Sequence, residues 1–119
     1  MRKIAPVLLL AALTTTLAAC GQRAQPIGAQ SDPLPPRTVL ITNVSFIPHR
    51  MVVTAGQTVT WRWDDGITPH NVTFDTLLAA SPSQVNGQWT HTFDTPGTYT
   101  YRCTIHRNMN GEVVVRPSS

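Results

Sequence analysis

Charge is scarce in this sequence: aspartate, glutamate, lysine and arginine together make up 13% of its 119 residues. Cysteine is nearly absent, with Cys20 and Cys103 the only two. No hydrophobic run is long enough for a permanent spanning helix, since Ile4–Leu13 is short and interrupted by Pro6. Helical periodicity never lasts longer than a turn or two, and no internal repeat is visible. These absences exclude a disulfide scaffold, a helical bundle and a repeat array. What remains is a length suited to one domain, not two, with frequent valine and threonine that favour strands.

The amino terminus has the layout of an export leader. Arg2 and Lys3 form a basic start, Ile4–Leu13 an apolar middle, and Leu17-Ala18-Ala19-Cys20 a small-residue end. That end resembles the lipobox of bacterial lipoproteins, which implies cleavage before Cys20 and lipid on its sulfur. An ordinary secretory leader with a cysteine at its cleavage site is the alternative. Residues 1–19 are thus expected to be a signal peptide. Without them, seven basic side chains face six acidic ones, so the +3 charge of the full chain does not point to nucleic acid. Residues 20–37 hold Pro26, Pro33, Pro35 and Pro36 and lack hydrophobic periodicity. They read as a lipid-anchored tether with a reach on the order of 50 Å if extended. The expected location is extracytoplasmic, periplasmic or at the cell surface, with membrane attachment through Cys20.

The folded domain is expected over residues 38–117. Strands are predicted over Thr38–Val44, Phe46–Val53 (with Pro48 marking an edge or bend), Thr58–Asp64, His70–Phe74, Gln88–Phe93, Thr98–Cys103 and Gly111–Arg116. Alternation turns Val59, Trp61 and Trp63 to one face, and likewise Tyr99, Tyr101 and Cys103. Residues 75–87 form a crossover loop, with a helical turn expected around Thr76–Ala80. Short strands divided by turns indicate an all-β sandwich or barrel.

With Cys20 lipidated, Cys103 is the lone thiol of an oxidising compartment, and metal ligation explains it. Cys103-Thr104-Ile105-His106-Arg107-Asn108-Met109 brings a thiolate, an imidazole and a thioether out of one loop. Such a soft and borderline donor set suits copper, and one further imidazole completes a His₂Cys set with a weak axial methionine. His70, in Pro69-His70-Asn71-Val72, offers it. His49 and His91 lie in strand or edge segments and read as ordinary histidines. Zinc also accepts His₂Cys, but a catalytic zinc keeps one position open for water, and Met109 would fill or shield it.

Residues 98–115, from Thr98-Tyr99-Thr100-Tyr101-Arg102-Cys103 to Val113-Val114-Val115, resemble the carboxy-terminal signature of the plastocyanin-like cupredoxins. The spacing within Cys103, His106 and Met109 is most similar to amicyanin and pseudoazurin, whereas plastocyanins keep a longer gap. Pro69-His70-Asn71-Val72 and Gly56-Gln57-Thr58-Val59-Thr60-Trp61 resemble the same group. The resemblance covers about residues 38–116. It implies a Greek-key, cupredoxin-like domain with one type 1 copper held by His70, Cys103, His106 and Met109. It also implies an electron port at His106, and a backbone donation from Asn71 to the cysteine sulfur. The Asn71 side chain is expected to reach Thr104. Ile105 departs from the family, which has proline there, so its N–H is expected to give the sulfur a second hydrogen bond and raise the potential.

The implied role is a one-electron carrier between extracytoplasmic redox proteins, not an enzyme. Arg102 and Thr104 stand beside Cys103 where multicopper oxidases and copper nitrite reductases have a relay histidine. A second cysteine for a dinuclear centre is missing, as is a His-x-His pair. Arg107, next to His106, is expected to orient an acidic partner in transient docking of a monomer. The alternatives are a lipoprotein that delivers or buffers copper and a metal-free interaction module.

Overall fold

The computed structural model describes residues 36–119, so the leader, most of the tether and the lipidation expected at Cys20 lie outside the described residues. Eight strands follow: β1 Thr38–Thr42, β2 Ser45–Ile47, β3 Arg50–Thr54, β4 Gln57–Asp64, β5 Thr73–Phe74, β6 Asn86–Phe93, β7 Gly97–Arg102 and β8 Asn110–Arg116. They form two four-stranded sheets, ordered β2-β1-β4-β6 and β3-β8-β7-β5. Pairs β1–β4 and β3–β8 are parallel, the other pairs antiparallel. The architecture is an all-β, cupredoxin-like Greek-key sandwich. It is not a closed barrel: β2 and β6 remain edges of one sheet, β3 and β5 of the other.

The stretch from Phe46 to Val53 is two strands in different sheets rather than one. Pro48 has no N–H to give a ladder, and the chain leaves β2 through the cis Ile47–Pro48 peptide before starting β3. Residues 75–85 contain no helical turn. Instead the loop is laced to its neighbours by Phe74 N–H to Ala79 O (3.4 Å), Ser81 N–H to Val72 O (2.8 Å) and Asp75 N–H to Thr100 O (3.0 Å).

Alternation places the core as expected on β4, β7 and β8. Val59, Trp61, Trp63, Tyr101, Val113 and Val115 are all buried. Trp61 of one sheet meets Tyr101 and Phe74 of the other edge-on, with ring centroids 5.3 and 5.8 Å apart. Such pairs each contribute about 0.5–1.5 kcal/mol beyond their buried area. Tyr101 also meets Phe46 at 4.8 Å, and burial pushes its phenol well above the ordinary value. Gly111 of β8 lies beneath this ring: a Cβ there would come within 2.4 Å of the Tyr101 hydroxyl. Tyr99, half-buried, donates its hydroxyl to Thr95 O at 2.6 Å and pins the turn before β7. This packing fixes the end of β7, from which the Cys103 loop departs.

Candidate metal centre

His70 sits in a loop, not in the strand expected from the sequence. Its backbone is held on three sides: its N–H donates to Gln84 O (3.0 Å), its carbonyl accepts from Gln84 N–H (3.1 Å), and the same carbonyl accepts the Trp63 indole N–H (2.9 Å). The side chain is fully buried. Its Nε2 lies 2.7 Å from Asp65 Oδ2. A carboxylate only accepts, so Nε2 carries a proton, which leaves Nδ1 as the nitrogen that can offer a lone pair to a metal. That Nδ1 faces Cys103 Sγ at 3.9 Å.

Cys103 follows the last residue of β7, and the loop after it closes on itself: its N–H donates to Met109 O at 3.0 Å. Asn108, with φ of 61°, makes the left-handed bend that asparagine tolerates. Both Cys103 and Met109 are 2% exposed. His106 is half-buried, its Nδ1 lies 3.6 Å from Cys103 Sγ, and its ring centroid lies 4.7 Å from that of His70.

Three donor atoms therefore converge, the imidazole nitrogens of His70 and His106 and the sulfur of Cys103, all within 4.8 Å of one another. Metal bonds of about 2.0–2.1 Å to nitrogen and about 2.3 Å to sulfur fit inside such a triangle. A thiolate with two imidazoles is a set that copper accepts. Met109 is buried as well, and its carbonyl accepts the Cys103 N–H.

A two-way clamp joins the two loops that carry the His70 and Cys103 donor atoms. Asn71 Nδ2 donates to Thr104 Oγ1 at 2.7 Å, and Thr104 N–H donates to Asn71 Oδ1 at 2.9 Å. Two other expected bonds are missing. Neither the Asn71 N–H nor the Ile105 N–H donates to Cys103 Sγ among the hydrogen bonds of the described residues. The polar contacts of the sulfur among the described residues are the two ring nitrogens, and the Ile105 side chain is exposed.

His49 is exposed and its carbonyl accepts the Glu112 N–H, while His91 stacks on Trp89 with centroids 6.0 Å apart. Neither joins the cluster. Burial, opposed by the nearby Asp94 charge, holds the His91 imidazole below its ordinary value. The residue that sequence reasoning passed over is Asp65. Its carboxylate accepts the N–H groups of Asn43 and Val44, each at 3.0 Å, besides His70. The Val44 bond, then the His70 bond, hold its carboxyl below the usual range.

The family model described as copper-binding proteins of the plastocyanin/azurin family matches residues 37–116. The chain belongs to that family. Amicyanin-alpha of Methylorubrum extorquens is 31% identical over 121 residues, covering 97% of this chain and 99% of that protein. Plastocyanin of Scenedesmus fuscus is 33% identical over 60% of this chain and 86% of its own. Among solved structures, a reduced amicyanin variant superposes with a TM-score of 0.59 at 36% identity, over 66% of this chain and 80% of the other. A purple cupredoxin of Nitrosopumilus maritimus gives 0.61 at 28% identity, over 66% and 98%. As a member of this cupredoxin family with a His/Cys/His cluster, the protein is a type 1, blue-copper-like electron carrier and not an enzyme.

Proposed function

We propose that His70, Cys103, His106 and Met109 together hold one copper ion, and that this chain passes single electrons between two redox proteins outside the cytoplasm. The convergence of two Nδ1 atoms and Sγ carries the reading. Copper bound there supplies a one-electron Cu(I)/Cu(II) couple.

The residues have distinct duties. Cys103, buried just after β7, would supply the thiolate, and Met109 would add a weak thioether donor. His70 is locked by Gln84, Trp63 and Asp65, so its ring cannot swing away. The Asn71–Thr104 clamp keeps the two ligand loops at a fixed separation, which limits rearrangement between oxidation states. His106, half-buried at the surface, is the port through which a docked partner is reached. Arg102, Thr104, Ile105, Arg107 and Asn110 line an open depression beside it. Arg107, exposed and next to His106, steers an acidic partner into that depression. Lipid on Cys20 and the tether over residues 20–37 would keep the domain near a membrane while leaving it free to meet both partners.

Copper titration of the domain, followed by visible spectroscopy and voltammetry, tests the reading. One equivalent of copper, an intense blue colour and a reversible wave are expected. Colourless uptake, or colour without a reversible couple, speaks for copper delivery instead.

A further inference from the structure

The carboxylate of Asp65 is the most heavily engaged side chain around the metal centre, and a ligand set alone does not explain it. Its Oδ1 accepts the Asn43 N–H at 3.0 Å, and its Oδ2 accepts both the Val44 N–H at 3.0 Å and the His70 Nε2–H at 2.7 Å. The side chain is 17% exposed and His70 is fully enclosed. Asn43 and Val44 connect β1 to β2 with φ of 49° and 52°. Two successive left-handed residues suit a two-residue hairpin turn, but a β-branched valine is rare there. In that conformation both N–H groups point at one acceptor, a small anion-binding nest. The nest holds the carboxylate, and the carboxylate holds the imidazole.

We propose that Asp65 is a positioning residue that fixes His70 as the Nε2–H tautomer and tunes the bound copper through its charge, with the β1–β2 turn as its mount. This rests on the copper reading above. A carboxylate behind a ligating imidazole makes the ring a stronger donor, and an imidazole with more electron density favours Cu(II) over Cu(I). An amide at this position has one acceptor oxygen and an NH₂ group, so it cannot receive all three donors. Asp65→Asn therefore turns an NH₂ group toward an N–H donor of the turn or of His70. Asp65→Glu keeps the charge and lengthens the reach.

Two measurements test this, one independent of copper. In the metal-free protein, ¹⁵N-edited NMR of the His70 ring is expected to show the Nε2–H tautomer alone for the wild type. A mixture of tautomers is expected for Asp65→Asn, and the wild-type pattern for Asp65→Glu. In the copper-loaded protein, Asp65→Asn is expected to lose about 10- to 100-fold in Cu(II) affinity, with a smaller loss for Cu(I). The reduction potential then rises by 59 mV for each tenfold change in that ratio, and Asp65→Glu restores most of it. Should Asp65→Asn fail to fold, the Asp65→Glu and wild-type comparison decides: a wild-type ring of mixed tautomers, or a glutamate variant with the tautomer mixture and potential of an uncharged site, overturns the proposal. A wild-type tautomer and potential retained in a folded Asp65→Asn overturns it as well. If the wild type takes up no blue copper, the copper reading fails, and the NMR result still decides whether Asp65 sets the tautomer.

Discussion

Asn71 and Thr104 are joined twice, amide to hydroxyl at 2.7 Å and backbone N–H to amide oxygen at 2.9 Å. Thirty-three residues separate them in sequence, and each directly follows a residue of the donor cluster, His70 or Cys103. The pair thus ties the first histidine to the cysteine loop without belonging to the donor cluster. Asn71→Ala removes both bonds. The expected loss is roughly 1–2 kcal/mol of stability, because exposed neutral hydrogen bonds contribute modestly. Urea unfolding checks the loss, and faster copper release to a chelator checks the loosened loops. A variant equal to wild type in both respects contradicts the clamp.

Arg107 bears on partner choice. Electrostatic steering acts mainly on association and weakens with salt, since the Debye length is about 10 Å at 0.1 M. With an acidic redox partner, the wild-type transfer rate is expected to fall as ionic strength rises. Arg107→Glu is expected to be slower at low salt and to lose or invert that dependence. Stopped-flow mixing over a salt series measures it, and identical curves for the two proteins remove Arg107 from docking.

The ring beneath the site is held from below by a missing side chain. Gly111→Ala puts a methyl group 2.4 Å from the Tyr101 hydroxyl, and Tyr101 is boxed in by Phe46, Trp61 and Phe74. With three rings already packed against Tyr101, overpacking costs about 1–3 kcal/mol. Because Tyr101 lies two residues before Cys103, the blue absorption band is expected to shift along with the unfolding midpoint. A variant with an unchanged midpoint contradicts the packing argument.

His91 makes acid stability testable. Burial beside Trp89, Phe74 and Phe93 holds its folded-state value below the ordinary 6.5. As pH falls through about 6.5 the unfolded chain takes up a proton that the folded domain still refuses. The unfolded state then binds more protons, and stability declines toward acid. His91→Phe keeps the aromatic packing and removes the proton. Its stability is expected to fall less than that of wild type between neutral pH and pH 5.5, as read by urea unfolding. Parallel slopes for the two proteins rule out this contribution.

Much of this was legible from residue order alone. Alternation in Val59-Thr60-Trp61-Arg62-Trp63 and Val113-Val114-Val115 marks buried faces, and those faces are buried. The spacing of Cys103 and His106 limits how far their donors can lie apart, because a short loop leaves a strand and returns to its neighbour. Asp65 was not legible. In Asp64-Asp65-Gly66 nothing tells the outward carboxylate from the one that turns inward, because the choice depends on a β1–β2 turn more than twenty residues away. The same limit applies to Pro48, which signals a break but not that the chain changes sheets there. The place of His70 was also hidden, since a single bridge to Gln84 rather than a strand ladder holds it. The donation expected from Ile105 is not among the hydrogen bonds of the described residues, and residue order alone does not aim an N–H.

The most direct test pairs a copper titration with one substitution at the converging sulfur. The wild-type domain is expected to bind one copper per chain and turn intensely blue, while Cys103→Ser loses the colour and the tight stoichiometric uptake together. A wild-type protein that stays colourless when loaded, or a serine variant that binds copper as tightly as its parent, would contradict the account.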